Sequence, residues 1–260
     1  MINRSRILQV FTVLILTTTH FLCHSKTLIL NDIDWPPYLF PSNNKAQLGI
    51  GKEILNRCLT NIDYQIIYTK LPIKRTHKFM QSGILDISIY SYKKEREEFL
   101  VYAKVPIFIS EYGFAVRADS NIEINSLDDL SPYTIGHLAG LSHTPELINI
   151  INKKRALGLV TEGQTIDSMF AQLLSSMPRI DIMPNTKDTF YWRAKTLGVS
   201  DKIKVLDYTI TTKSYFITVS KNSKNIDDIE GFLAEMNTCI TQMHNNGQYD
   251  EIISRYGRPR

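Results

Sequence analysis

The chain lacks a strong excess of charge of either sign. Its 260 residues carry 30 Lys and Arg against 26 Asp and Glu, a formal net charge of +4. Proteins that bind nucleic acid or anionic membrane surfaces typically carry a larger, clustered positive charge, so we expect neither partner. Internal repeats and low-complexity tracts are also absent from the sequence, which argues against a solenoid or a disordered linker.

Cysteine is scarce, with three residues in the whole chain. None has the Cys/His spacing of a zinc site, and we expect no metal and no cofactor. An oxidising compartment would permit a disulfide between Cys58 and Cys239. Both lie in segments with helical patterning, where a buried free thiol is the commoner outcome, so free thiols are favoured.

Long apolar runs are absent except for residues 7–16. Arg4 and Arg6 precede this run, and small or polar residues follow it up to Ser25. This order is typical of a secretory signal, and the run is shorter than the roughly 20 residues that span a bilayer. We therefore expect residues 1–25 to be a cleaved signal peptide and the mature chain to be periplasmic.

A lipoprotein signal cut before Cys23 is the alternative for this N-terminus. Leu22 stands where such a signal usually has a small residue, which argues against lipid anchoring. Removal of residues 1–25 would leave 28 basic and 26 acidic side chains in the mature chain. This near-balance again predicts no nucleic-acid partner.

Residues 86–106 contain the strongest candidate for an anion site. Residues 86–90 alternate polar and apolar side chains as a strand does, and residues 93–98 are charged and favour a helix. A strand that runs into a helical turn presents unpaired backbone N–H groups, which attract anions. Arg96 lies one turn in, and its guanidinium could hold a carboxylate through two parallel hydrogen bonds. Alternatively, Arg96 pairs with a neighbouring Glu on a solvated face.

The order Asp86, Ser91, Arg96, followed by an aromatic pair and Pro106, resembles the family 3 periplasmic solute-binding proteins of polar amino-acid uptake. Four further segments match that family in the same order: residues 32–38 (DIDWPPY), 126–130 (SLDDL), 135–140 (IGHLAG) and 246–252 (NGQYDEI). The resemblance covers nearly the whole chain after residue 25.

The resemblance implies an α/β fold of two lobes, the type II periplasmic binding fold. Each lobe would be a mainly parallel sheet flanked by helices, and two hinge crossovers would join the lobes. We expect lobe 1 to contain residues 26–109 and 213–260, and lobe 2 to contain residues 110–212. The expected partners are a small polar ligand and an ABC-transporter permease or a membrane sensor, and we expect a monomer.

The first ligand candidates follow the predicted strand at residues 27–30, on a loop stiffened by two prolines. Ligands in open α/β sheets lie beyond the carboxyl ends of the strands, where Trp35 and Tyr38 could supply flat walls. The resemblance implies that Trp35 stacks on the solute, and it adds Asp32 of the same motif. Both aromatic residues could instead pack over a core.

Arg75 resembles an arginine of those relatives whose helix starts Pro-x-x-Arg, and it would either add a positive charge to the cleft or lie on the surface. The far side of the cleft would come from the strand-to-helix junction at residues 140–146, with Ser142 and Thr144 as hydroxyl donors. Either hydroxyl could instead cap the helix that follows. His143, in the same junction, is expected to face solvent.

Asn185 stands where amino-acid-binding relatives often have an aspartate that receives the α-ammonium of the ligand. An ammonium without that carboxylate would lose a bond of about 1.5–3 kcal/mol, which argues against a standard α-amino acid. Asp188, one helical turn on, could compensate. The complete set of ligand-binding candidates is Asp32, Trp35, Tyr38, Arg75, Tyr90, Ser91, Arg96, Ser142, Thr144 and Asn185.

We therefore expect a secreted, non-catalytic protein that closes on a small, carboxylate-bearing ligand. The alternatives are an enzyme on the same fold, such as a dehydratase of a cyclic carboxylic acid, and a ligand-sensing input protein. No nucleophile elbow, phosphate loop, metal motif or catalytic triad order is present in the sequence, which argues against the enzyme.

Overall fold

The computed structural model describes residues 26–44, 46–62, 64–71, 73–139, 141 and 143–258. The expected signal peptide and the candidate Ser142 lie outside these residues. The described strands are β1 (Lys26–Asn31), β2 (Tyr64–Thr69), β3 (Ile87–Ser91), β4 (Leu100–Tyr102), β5 (Phe108–Arg117), β6 (Ile135–Leu138), β7 (Val160–Gly163), β8 (Ile182–Thr186) and β9 (Ile203–Ser220).

Seven α-helices surround these strands in the described residues: α1 (Ile50–Thr60), α2 (Ile73–Ser82), α3 (Pro145–Ala156), α4 (Ile166–Leu173), α5 (Lys187–Thr196), α6 (Ile229–Asn245) and α7 (Gln248–Arg255). Three short 3-10 helices lie at Lys94–Glu98, Leu127–Leu130 and Ser200–Lys202. Within the described part of the chain, no helix is long and apolar enough to cross a membrane.

The sheet has two parallel parts that are joined by antiparallel strands. Its order is β2-β1-β3-β9-β5-β8-β6-β7, and β4 pairs with β9 beside this path. Strand β1 is parallel to β2 and β3, and β6 is parallel to β7 and β8. The joints are antiparallel, since β9 pairs with β3, β4 and β5, and β5 pairs with β8.

Strands β5 and β9 form the connection between the two parts. Their ladder runs from Phe108 opposite Tyr215 to Arg117 opposite Ile203. The sequence predicts two separate extended segments for each of these strands. In the structure the two segments form one continuous strand, because the chain passes straight from one part of the sheet to the other. The last residues of β9 then pair with β3.

Separate hydrophobic cores lie on the two sides of this connection. The largest core joins β1 and β3 to α1, α6 and α7, with Leu28, Ile54 and Met236 fully buried. A second core around Ile135 and Ile182 and a third core around α4 and α5 lie beyond β5. Each part of the sheet therefore has its own buried apolar interior, as a two-lobe fold requires.

A disulfide joins Cys58 of α1 to Cys239 of α6, with 5.6 Å between the two Cα atoms. The expectation of free thiols is therefore wrong. The two helices pack side by side in the first core, and this packing brings together two cysteines that are 181 positions apart in sequence. The helical pattern of each segment carried no information about which helices are neighbours.

Local stop signals in the sequence do act as expected. Gly83 follows the last residue of α2 with φ of 72°, a conformation that favours glycine. A Cβ atom at this position would lie 2.0 Å from the backbone oxygen of Asn222. Ser126 and Asp129 form a capping box at the second 3-10 helix.

Candidate functional site

Arg96 lies in the 3-10 helix Lys94–Glu98, which directly follows β3. Its Nη1 donates a hydrogen bond to the carbonyl oxygen of Ser91 at 3.0 Å, and its Cζ lies 4.6 Å from the centre of the Tyr90 ring. The side chain is half-buried and forms no ion pair with any described residue. The alternative interpretation, in which Arg96 pairs with a neighbouring Glu, is thus not realised among these residues.

Tyr90 supplies a second donor beside this guanidinium. The residue is 8% exposed, and its hydroxyl forms no well-aligned hydrogen bond with a described residue, although the buried Ser88 hydroxyl lies close enough to lower the pKa of Tyr90. Burial raises the pKa of Tyr90 to about 12, so the hydroxyl keeps its proton at neutral pH, although Arg96 opposes the shift. A buried hydroxyl without a partner is unfavourable, and an anion beside Arg96 would satisfy both groups.

The His77 ring stacks on the other side of this group, with 5.1 Å between its centre and that of Tyr90. Its Nδ1 is buried and has no partner among the described residues. Burial lowers the pKa of His77, and the positive charges of Arg96 and Lys93 lower it further. His77 therefore adds a neutral, polar ring rather than a second cation.

Trp35 belongs to an aromatic cluster at the start of the β5–β9 ladder. Its ring centre lies 4.9 Å from that of Tyr215 and 5.8 Å from that of Phe108, and the side chain remains half-buried. Tyr38 stacks on Phe108 at 4.5 Å but is fully buried. Trp35 can therefore present an aromatic surface, whereas Tyr38 takes the packing role and offers no surface to a ligand in this conformation.

Asp32 and Arg75 have surroundings that differ from those of Arg96. The Asp32 carboxylate accepts hydrogen bonds from Lys52 Nζ at 2.6 Å and from Ser42. Burial raises the pKa of Asp32, but these hydrogen bonds outweigh it and leave the pKa below its usual value. Arg75 is exposed in the first turn of α2. Asp32 thus has a structural partner, and Arg75 lies on the surface.

The predicted residues of lobe 2 lie on two elements. Thr144 is the N-cap of α3, and its Oγ1 accepts a bond from the Leu147 N–H at 3.4 Å, as the capping alternative requires. Asn185 lies in β8, is 5% exposed, and accepts a bond from the Thr186 N–H at 2.7 Å. Neither residue carries a charge that could receive an ammonium group.

Comparison with known proteins decides the family. The model of the bacterial extracellular solute-binding proteins, family 3, matches residues 28–259. The chain belongs to this family. A comparison with curated protein sequences finds no match.

Solved structures confirm the two-lobe, type II periplasmic binding fold of this family 3 protein. The open form of substrate-binding domain 2 of Lactococcus lactis GlnP has a TM-score of 0.68 at 20% identity, covering 90% of this chain and 96% of that one. An ancestral cationic amino acid solute-binding protein gives 0.68 at 18%, with coverage of 91% and 97%. A histidine kinase sensor domain similar to periplasmic binding proteins gives 0.57 at 14%, with coverage of 90% and 96%.

The family 3 fold also brings together polar residues that the sequence did not identify. Lys213 lies on β9 with its Nζ 5.3 Å from the centre of the Tyr112 ring on β5. His143 is half-buried rather than solvent-facing, and its ring centre lies 5.5 Å from that of His137. Burial lowers the pKa of His143 to about 4, and the positive charges of His137 and Lys213 lower it further.

Strand pairing links Arg96 to Lys213, which lies two residues before Tyr215 on β9. Ser91, which accepts the bond from Arg96, is opposite Tyr215 in the β3–β9 ladder. Burial raises the pKa of Tyr215, Tyr112 raises it further, and Arg96 lowers it, so all three side chains share one environment. We call the set the hinge site; its members are Trp35, Tyr90, Arg96, Tyr112, His137, His143, Lys213 and Tyr215.

Cavity volume by itself would suggest other candidate sites on this solute-binding protein. A depression of about 690 Å³ lies on the surface beside α7, and another of about 590 Å³ lies between β4 and the start of α6. None of the unpaired buried polar atoms of the described residues belongs to their linings. The hinge site holds half of those atoms, in Tyr90, His137 and His143, and is the better candidate for a polar ligand.

Proposed function

We propose that this protein is a secreted solute-binding protein that closes its two lobes on a small carboxylate and delivers it to an ABC permease. The observation that carries the proposal is Arg96, half-buried over Tyr90 and without an acidic partner among the described residues. A guanidinium in this setting favours a bidentate carboxylate, and the Tyr90 hydroxyl can donate a third hydrogen bond.

The two lobes close on the ligand by moving about the two strands that connect them. Lobe 1 comprises residues 26–109 and 213–260, and lobe 2 comprises residues 110–212, so β5 and β9 cross between the lobes once each. A ligand that contacts both lobes favours the closed form by its additional contacts there. Trp35 stacks on the solute from lobe 1, while Ser142 and Asn185 complete the pocket from lobe 2.

The proposed location is the periplasm, after cleavage of residues 1–25, and the proposed state is a monomer. The role is binding rather than catalysis. An enzyme on this fold would need a general acid or base in the cleft. The Asp188 carboxylate is not free to act as that acid or base, because Tyr38 and Arg258 both donate hydrogen bonds to it.

A sensing role is the second candidate, because the similar structures include a histidine kinase sensor domain. Transport and sensing share the same binding step and differ in the membrane partner. Loss of solute uptake on deletion of the gene would support transport. Intact uptake, with loss of a ligand-induced transcriptional response, would support sensing.

The binding step is tested by thermal unfolding of the purified protein with a panel of mono- and dicarboxylates, followed by calorimetry of the positives. A ligand at 100 times its Kd stabilises the fold by about 2.7 kcal/mol. Arg96→Ala should weaken binding by about tenfold or more, since a charge-assisted pair contributes about 1.5–3 kcal/mol. Arg57→Ala is the matched control, because Arg57 is exposed in the last turn of α1 and does not belong to the hinge site. Equal affinity of the parent and Arg96→Ala would reject the site.

A further inference from the structure

Among the described residues, no acidic group of the hinge site or next to it is available for a ligand ammonium. Asn185 of β8 is a neutral amide whose side-chain oxygen already accepts the Thr186 N–H. The nearest acid along the chain, Asp188, is 4% exposed. It accepts hydrogen bonds from the Tyr38 hydroxyl at 2.7 Å and from Arg258 Nη2 at 2.8 Å.

Glu111, on the β5 crossover, is likewise compensated. Its carboxylate lies 3.7 Å from Lys187 Nζ and 4.0 Å from Arg258 Nη1. Asp188 and Glu111 therefore share the charge of Arg258, and the protein itself supplies the cations that these two acids need. An ammonium group of a ligand would have to displace one of these internal cations to gain a carboxylate partner.

A positive charge is available instead, for an anionic group of a ligand. Lys213 forms no ion pair with any described residue, and its Nζ lies over the Tyr112 ring. His143 has a buried Nε2 without a partner in the described part of the chain, and both ring nitrogens of the 8%-exposed His137 also lack hydrogen bonds there. One carboxylate does face His137, since Glu162 lies 3.5 Å from its Nδ1, but Arg155 holds Glu162 at 2.6 Å.

We propose that the ligand is a small dicarboxylate without an α-ammonium group, with one carboxylate on Arg96 and the other on Lys213. This inference rests on the proposed function and narrows its substrate class. Arg96 is bonded to Ser91, which pairs with Tyr215, and Lys213 lies two residues from Tyr215 on the same face of β9 and over the Tyr112 ring. Two cations and two aromatic rings in this arrangement match a carbon chain with an anionic group at each end.

Matched pairs of acids test the absence of the ammonium group. Calorimetry of the purified protein with succinate against L-aspartate, and with glutarate against L-glutamate, changes only the α-amino group. We expect the dicarboxylate of the preferred length to bind about tenfold or more tightly than its amino acid. Tighter binding of the amino acid in both pairs would overturn the inference and leave the proposed function standing.

Two variants test the residues. Asn185→Asp should reduce or reverse the preference for the dicarboxylate over its amino acid, because the new carboxylate can receive the ammonium group of the amino acid. Lys213→Met should weaken glutarate or succinate more than the monocarboxylate butyrate, and Lys204→Met, an exposed lysine on the same strand, is the control. Equal losses in Lys213→Met and Lys204→Met would reject the second anion position. If neither the acids of these pairs nor butyrate binds the parent, the proposed function fails together with this inference.

Discussion

Asp188 and Arg258 form an ion pair that ties the C-terminal segment to α5. Arg258 Nη2 lies 2.8 Å from the Asp188 carboxylate, whose side chain is 5% exposed while that of Arg258 is 28% exposed. The Tyr38 hydroxyl bonds the same carboxylate at 2.7 Å. Three segments that are far apart in sequence therefore meet at one buried charge: the loop after β1, helix α5 and the residues after α7.

Arg258→Ala should destabilise the fold by about 2–3 kcal/mol, because it leaves the buried Asp188 carboxylate with Tyr38 as its remaining donor. Burial raises the pKa of Asp188, and Arg258 opposes this rise. The deficit should therefore shrink as the pH is lowered and the carboxyl takes up a proton. Urea unfolding at several pH values measures both effects.

The double variant Arg258→Ala/Asp188→Asn is the control for this interpretation. Removal of the carboxylate charge should recover part of the stability that Arg258→Ala loses. A double variant that is less stable than Arg258→Ala by the full cost of Asp188→Asn alone would show that the two residues are not coupled.

Removal of the disulfide, by Cys58→Ser together with Cys239→Ser, should lower the free energy of unfolding by about 2–5 kcal/mol. The bond closes a loop of 181 positions, and such a loop has high entropy in the unfolded chain. Denaturant unfolding of the parent with and without reductant should show the same change. A reductant effect in the double serine variant would assign the change to some other group.

Because His143 stays neutral in the folded chain, it should make the stability of the protein depend on pH. Burial lowers its pKa to about 4 from the usual 6.5, so between these values the unfolded chain binds a proton that the folded chain does not. The free energy of unfolding should therefore fall as the pH drops from about 6.5 to about 4. His143→Gln should flatten this slope, and an unchanged slope would remove His143 as its source. His77, whose pKa burial also lowers, should supply a remaining part.

Asp32→Asn separates a structural role for Asp32 from a role in ligand binding. The buried Lys52 would lose its charged partner, with an expected loss of about 2–4 kcal/mol in stability. Ligand affinity should stay within about twofold of the parent, because the carboxylate is already occupied by Lys52 and Ser42. Asp34→Asn, an exposed acid in the same loop, is the control for stability. A tenfold loss of affinity would instead place Asp32 in the site.

Much of the fold could be predicted from local patterns. The strand at residues 86–90, the stop at Gly83 and the short helix after Ser126 all depend on contacts within a few residues. Helical spacing, capping side chains and the steric freedom of glycine act at that range, so the sequence carries them directly.

The candidate site was predicted only in part. Arg96 could be proposed from the sequence because a guanidinium after a strand and a turn is a local feature, and the structure places its side chain half-buried over Tyr90. Lys213 and His143 gave no such signal, since one is a polar residue in a long strand and the other a single histidine in a loop. Their contacts appear only in the folded chain, where Lys213 lies over the Tyr112 ring and the His143 ring lies 5.5 Å from that of His137.

The sequence by itself determined the elements, the family and the neutral amide at position 185. Tertiary structure alone decided which distant groups meet: Cys58 with Cys239, Asp188 with Arg258 and Tyr38, and Asp32 with Lys52. The physical reason is the separation along the chain over which each kind of interaction acts. Backbone conformation follows from neighbours along the chain, whereas the pairing of a buried charge or a thiol depends on which surfaces the cores bring into contact.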